Sequence, residues 1–290
     1  MGGHVPTWGN VDDRESIAAI HQALDAGINL IDTAPIYGLG HSEEIVGKAI
    51  QSRRNEVFLA TKCGLLIPKS DTDLPPRCLS RDSIFRECEA SLRRLRTDVI
   101  DLYQCHWPDP ETPIQETMSA LTTLWEQGKI RAIGVSNFSC EQMTAARQHG
   151  PIHTAQPPFS MLHRRAAEDL VPYCIEHRIG VLPYSPLAKG LLTGKFGPES
   201  HLEDIRTSDP EFIGERFRRN LRVVEDLRKI ADGYDRTLAQ LALNWVTHQP
   251  GITAPIFGAK RPSQVLENVG AIGWAIHEDD RARIDALLGS

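Results

Sequence analysis

The chain has 290 residues, 41% of them hydrophobic, enough for a full core and for one large α/β domain. Its formal net charge of -6 argues against a nucleic-acid partner, because phosphate binding depends on clustered cations, and the RRLR run at 93–96 reads as a solvated helix face. Six cysteines without a C-x-x-C pair or zinc spacing, no apolar run of membrane-spanning length and no signal-like leader predict a cytoplasmic protein that holds no metal, meets no membrane and binds small molecules.

In chain order, DRESIAAIHQALDAG (13–27) predicts an amphipathic helix closing on Gly27, followed by a buried strand, INLID (28–32). A helix from Ser42 (SEEIVGKAI) with acids in its first turn leads to the strand VFLATK (57–62), and the helix after Ser80 (SRDSIFRECEASLRRL) leads to VIDLYQ (99–104). The helical ETPIQETMSALTTLWEQG then precedes RAIGVS (131–136), EQMTAARQHG precedes HTAQ (153–156), and AAEDLVPYCIEHRIG precedes IGVLPYS (179–185). ITAPIFG (252–258) is the seventh strand. Strand and helix alternate without a linker, which predicts parallel strands joined by crossovers: a (β/α)8 TIM barrel occupying residues 1–290 as a single domain, with seven strands readable. An open doubly wound sheet is the alternative. Residues 193–212 are polar, punctuated by Gly and Pro, and too long for an ordinary turn; they read as a loop serving a site or as a surface insertion.

In a parallel barrel the chemistry collects at the carboxyl ends of the strands. Those ends carry Asp32, Lys62, His106, Ser136 with Asn137, Gln156, Tyr184 with Ser185, and Gly258 with Lys260 and Arg261. Singly each has a structural explanation: Asp32 as a turn cap, Lys62 snorkelling, His106 in the core. As a set they supply a mechanism. Tyr37 is a weak acid, a nearby Lys62 ammonium would favour its phenolate, and Asp32 would keep that lysine charged. His106 would donate a hydrogen bond to a substrate carbonyl. No side chain can give a hydride, so a nicotinamide cofactor is expected, with Gln156, Ser136 and Asn137 at its carboxamide and Tyr184 against its ring. The GAKRPSQVLEN segment (258–268) sets cations before a helix start, an anion site, and no G-x-G-x-x-G follows any strand.

The chain resembles the aldo-keto reductase family from about residue 2 to its end, through NLIDTAPIYGLGHSEEIVGKAI, FLATK, DVIDLYQCHWPDP, GKIRAIGVSNFS, YSPLAKGLLTGK and GAKRPSQVLEN. It is most similar to bacterial members with an HWPDP motif and is distantly similar to the β-subunits of voltage-gated potassium channels. The resemblance implies a catalytic tetrad of Asp32, Tyr37, Lys62 and His106, with Tyr37 the general acid in reduction and the general base in oxidation. It implies NADPH as cofactor, with NADH also accommodated, held further by Ser185, Pro186, Leu187 and Lys195 at the pyrophosphate and by Gly258, Lys260, Arg261, Gln264, Glu267 and Asn268 on the adenosine side. Trp107, Phe138 and Trp8 are expected to shape the pocket for a small aldehyde, ketone or sugar. Phe159 stands in PPFS where the family has tyrosine, a change of packing. The family's first hairpin and strand would precede Met1, so the chain reads as N-terminally truncated. Two other functions suit parts of the sequence: a nucleotide-sensing accessory subunit, against which His106 stands, and a barrel aldolase using Lys62 as a Schiff-base nucleophile. Cys63 and Cys105, beside Lys62 and His106, are expected to face away from the mouth as packing.

Overall fold

A computed structural model describes residues 12–68, 74–202 and 204–289. Trp8 lies outside the described residues, as does the chain start on which a truncation would bear.

Six strands form one parallel sheet in sequence order: β1 (Leu30–Asp32), β2 (Phe58–Cys63), β3 (Leu102–Cys105), β4 (Ile133–Ser136), β5 (Thr154–Gln156) and β6 (Gly180–Val181). Between them run α1 (Asp13–Asp25) before β1, then α2 (His41–Ile50), α3 (Arg81–Leu95), α4 (Ile114–Glu126), α5 (Cys140–Arg147) and α6 (Leu170–Glu176). The expected strand at 252–258 is present as two bridges, Val181 with Ile252 and Tyr184 with Ile256. It does not form a continuous ladder, and β6 is shorter than expected, because Pro183 and Pro255 have no N–H to give. The hydrogen bonds that remain, such as Ile256 N–H to Pro183 O at 2.8 Å, still carry the parallel arrangement past β6. Among the described residues no pair joins 252–256 to β1.

Three further helices lie outside the predicted elements: α7 (Gly214–Asp232), α8 (Leu238–Thr247) and, at the end, α10 (Glu278–Leu288); α9 (Pro262–Val269) starts where the 258–268 segment predicts a helix. Within 193–212 short 3-10 turns form at Ile205–Ser208 and Pro210–Phe212, and Phe212 packs with Leu191 and Phe217 in a satellite apolar cluster. No described helix is long and apolar enough to cross a membrane.

Period-2 alternation sorts the strand side chains. Leu59, Cys63, Tyr103, Cys105, Ile133 and Val135 join the main core with helix residues such as Ile84 and Leu92. Ala60, Leu102 and Leu182 cluster separately with Leu30, Ala132 and Ile256, an apolar plug inside the arc of strands. The next inward-facing position beyond Ala60 is Lys62, beyond Leu102 is Gln104, and beyond Leu30 is Asp32, so a polar layer rests on the plug. Register makes that layer continuous, since Lys62 pairs with Gln104, Gln104 with Gly134, and Gly134 with Thr154. Gly134 is required there: a Cβ would stand 2.4 Å from Thr154 Oγ1 and 2.8 Å from Gln104 Cγ.

Candidate active site

Asp32 ends β1 and Lys62 lies one residue before the end of β2, and strand pairing brings them together. Lys62 Nζ donates to Asp32 Oδ2 at 2.6 Å and to the Thr33 carbonyl at 3.0 Å. Lys62 is fully buried, and the other carboxylate oxygen, Asp32 Oδ1, accepts from Gln156 Nε2 at 3.1 Å and from Gln104 Nε2 at 3.4 Å. Burial works against the Lys62 charge, but Asp32 and then Tyr37 outweigh it and hold the ammonium above its ordinary pKa.

Tyr37 stands in the turn between β1 and α2. Its N–H donates to Ala34 O at 3.1 Å, its carbonyl accepts from Ser42 N–H at 3.2 Å, and the Thr33 and Ser42 hydroxyls meet at 2.8 Å. Gly40 closes this turn at φ +96°, with Arg94 Cδ 2.9 Å from where a Cβ would be. Arg94 Nε in turn donates at 2.7 Å to the buried Glu43 of α2, which also accepts from Thr61 Oγ1 of β2 at 2.7 Å. The tyrosine turn is therefore tied to the strand that carries Lys62. Lys62 Nζ lies 5.1 Å from the centroid of the Tyr37 ring, and the ring stands edge-on to His106 with centroids 5.8 Å apart.

Tyr37 as a whole is 36% exposed, at the open side of the site. Burial raises the phenol pKa, the Lys62 charge opposes the rise, and Asp32 adds to it. The net direction is upward, so in this state the lysine moderates the tyrosine without bringing its pKa below the ordinary value. Burial, reinforced by Lys62, pushes His106 down to about 3, leaving a neutral imidazole at pH 7.

Beside these four residues, Asn137 adopts φ +62°. Its Nδ2 donates to His106 O at 3.0 Å and to Ser136 Oγ at 3.1 Å, while Oδ1 accepts from Tyr184 O–H at 2.9 Å. Ser136 Oγ donates to Gln156 O at 2.8 Å. Burial and then Tyr37 push the Tyr184 phenol up to about 12. The residues expected at the carboxamide thus form one network, and Gln156 extends it to Asp32. Ser185 at φ +57° turns the chain after Tyr184 into Pro186, which is buried, and half-buried Leu187.

Farther out, Lys195 is exposed and its pKa is lowered by partial burial, then by the positive charges of Arg206 and Lys260, with Asp204 opposing. Positive charges from both the 193–212 stretch and the 258–268 segment thus bear on Lys195. Within the second segment Gly258 is exposed, Lys260 N–H donates to Gln264 Oε1 at 2.7 Å, Glu267 O accepts from Gln240 Nε2 at 2.8 Å, and Asn268 is buried. Trp107 is half-buried with the Arg77 guanidinium 4.9 Å from its ring centroid. Phe138, expected at the pocket, is buried in the main core and offers its side chain there instead of to solvent. Cys63 and Cys105 also face the core, and all six cysteines are free thiols.

Gln104 joins the site without a role in the expected set. It is the last polar residue of β3 and fully buried, and its sequence signal is its place two residues before His106: the alternation that aims His106 inward aims Gln104 inward too.

A profile of the aldo/keto reductase family matches residues 1–288. The aldo-keto reductase YhdN of Bacillus subtilis is 45% identical over 97% of this chain and 86% of its own length; an NADH-specific methylglyoxal reductase of Escherichia coli is 37% identical over 96% and 89%. Among solved structures, glycerol dehydrogenase AKR11B4 from Gluconobacter oxydans superposes with a TM-score of 0.90 at 41% identity, over 97% of this chain and 87% of that one. An aldo-keto reductase from Klebsiella pneumoniae in complex with NADPH gives 0.77 at 30% identity, over 99% and 90%. The chain belongs to the aldo/keto reductase family. It is an oxidoreductase with the family's TIM-type barrel fold.

Proposed function

We propose that this chain interconverts a small aldehyde, ketone or sugar carbonyl and the corresponding alcohol, with NADPH as the preferred cofactor and NADH accommodated, and that residues 1–290 act as one barrel domain. The observation that carries the reading is the fully buried Lys62 ammonium, held at 2.6 Å by Asp32 and facing Tyr37 beside a neutral His106. When bound, the nicotinamide supplies or accepts the hydride. Tyr37 gives its proton to the carbonyl oxygen in reduction and takes it back in oxidation, while Lys62 stabilises the phenolate left behind. His106, unprotonated at one ring nitrogen, donates from the other to orient the same oxygen.

The residues present fit a dinucleotide. Lys195, its pKa lowered first by partial burial and then by the charges of Arg206 and Lys260, is suited to a phosphate, and Ser136, Asn137 and Gln156 retain acceptor capacity for an amide. Lys195, with Ser185, Pro186 and Leu187, would hold the pyrophosphate; Gly258, Lys260, Arg261, Gln264, Glu267 and Asn268 would hold the adenosine side; Trp107 would wall the substrate. The NADPH complex of the Klebsiella pneumoniae relative supports this choice, and the NADH-specific relative supports keeping NADH. A Schiff-base aldolase would need a neutral amine at Lys62, and its surroundings favour the ammonium.

The test is a carbonyl panel followed by NADPH oxidation, with Tyr37→Phe alongside. The variant is expected to lose at least about 10²-fold in kcat while binding NADPH nearly as before, the usual size of a general-acid effect. Near-normal turnover in Tyr37→Phe would overturn the mechanism.

A further inference from the structure

Arg261 is the N-cap residue of α9, with extended backbone and Pro262 in the first turn. Its guanidinium already has a partner: Nε donates to Glu15 Oε2 at 3.2 Å, a contact between residues 246 apart in sequence. Glu15 lies in the first turn of α1, where the Asp12 carboxylate caps the helix by accepting from the Arg14 and Glu15 N–H groups. Ala19 and Ala23 of α1 pack on Val265 of α9, and small side chains let the two helices lie close. Helix packing thus delivers a carboxylate to the cation at the start of α9. The two side chains are 66% and 50% exposed, so a ligand arriving from solvent can reach both.

A phosphate that comes to Arg261 must share or displace Glu15 and also meets its negative charge. A ribose hydroxyl in the same place needs no cation and can donate to a carboxylate. The carboxylate therefore weighs against one nucleotide and not against the other. We propose that Glu15 is a specificity-determining residue that, through Arg261, reduces the preference for a 2'-phosphorylated over an unphosphorylated nicotinamide dinucleotide. This rests on the reading that residues 258–268 hold the adenosine side of the cofactor.

The experiment is a fluorescence titration of NADPH and of NADH into the full chain, Glu15→Gln, Arg261→Ala and the double variant. Glu15→Gln is expected to bind NADPH roughly two- to fivefold more tightly, the range an exposed ion pair allows, with NADH binding unchanged or slightly weaker. Raising the salt should narrow the gain. Arg261→Ala should weaken NADPH binding selectively, and in that background the Glu15→Gln gain should fall by more than half. If Glu15→Gln leaves the ratio of NADPH to NADH affinity unchanged while Arg261→Ala still weakens NADPH, Glu15 is not the determinant and the reading of 258–268 survives. If neither variant alters NADPH binding, that reading falls and the proposal with it.

Discussion

Buried His106 and half-buried Glu87 should oppose each other between pH 7 and pH 5. His106 has an ordinary pKa of 6.5 and is pushed down to about 3 by burial and Lys62. Below 6.5 the unfolded chain takes up a proton that the folded chain refuses, so stability falls with acidification, by about 1.4 kcal/mol per pH unit and about 2 kcal/mol by pH 5. Glu87 behaves in the opposite sense. Its carboxylate accepts from the Gly64 N–H at 3.0 and 3.2 Å and from Ser83 Oγ at 3.1 Å, but burial dominates and raises its pKa from 4.5 to about 7. Between those values the folded chain binds a proton that the unfolded chain does not. Acidification from pH 7 to 5 therefore adds stability from Glu87, again about 2 kcal/mol.

The assay is the unfolding free energy from urea denaturation at pH 7 and pH 5, compared within each protein so that constant costs of a substitution cancel. In His106→Asn the acid-induced loss is gone and the Glu87 gain is uncovered, so stability should rise toward pH 5 by about 2 kcal/mol relative to the unmodified chain. In Glu87→Gln the His106 loss is uncovered and the change should have the opposite sign and similar size. Identical differences between the two pH values in all three proteins would refute the burial argument for both groups.

Lys62→Met should cut turnover sharply and move the onset of the residual alcohol oxidation to higher pH, because Tyr37 loses the charge that lowers its pKa; an unchanged pH profile would assign Lys62 another task. The same variant leaves the Asp32 carboxylate buried without its cation, and urea unfolding should report a loss of about 3 to 5 kcal/mol. Gln104→Leu removes the longer of the two amide bonds to Asp32 Oδ1, at 3.4 Å, and should cost kcat roughly threefold to tenfold with little change in KM. Its alkaline limb should shift upward, since a less shielded Asp32 raises the Tyr37 pKa further; a change in KM alone would mean that Gln104 acts on substrate binding.

Asp32, Lys62 and His106 were legible in the sequence because each closes a short apolar run, where a parallel strand delivers its last side chain to the mouth. The cation-bearing segment before α9 was legible from Lys260, Arg261 and Pro262 for the same local reason. Contacts that depend on which helices pack together were not. Glu15 meets Arg261, and Glu43 meets Arg94 at a separation of 51 residues, only after α1 has settled on α9 and α2 on α3. The direction of the Tyr37 shift was also hidden, since it depends on whether burial or Lys62 wins, and sequence supplies the lysine but not the depth. At 252–258 the residues and the parallel pairing were right, but Pro183 and Pro255 break the ladder into bridges. Helices α7 and α8 went unassigned because the 193–212 stretch interrupts the strand-helix rhythm that guided the reading, although α7 buries Phe217, Val224, Leu227 and Ile230 at helical spacing.

One physical cause, desolvation, sets Tyr37 and His106 in complementary states. Burial disfavours charge, so it leaves the imidazole unprotonated and makes the phenol, already protonated at neutral pH, harder to ionise; both groups rest neutral with a hydrogen to donate. The charges that remain in the same layer, Lys62 and Asp32, persist because each neutralises the other at 2.6 Å and because Gln156, Gln104 and the Thr33 carbonyl take up the bonds that water would have made. A carbonyl oxygen gathering negative charge in such a site meets two neutral donors backed by a buried cation, with no proton to be moved beforehand. The reverse reaction needs the phenolate first. Burial and Asp32 resist its formation and Lys62 favours it, so under the proposed roles reduction starts from the resting state of the site, while oxidation must gain rate as the pH rises toward the Tyr37 pKa.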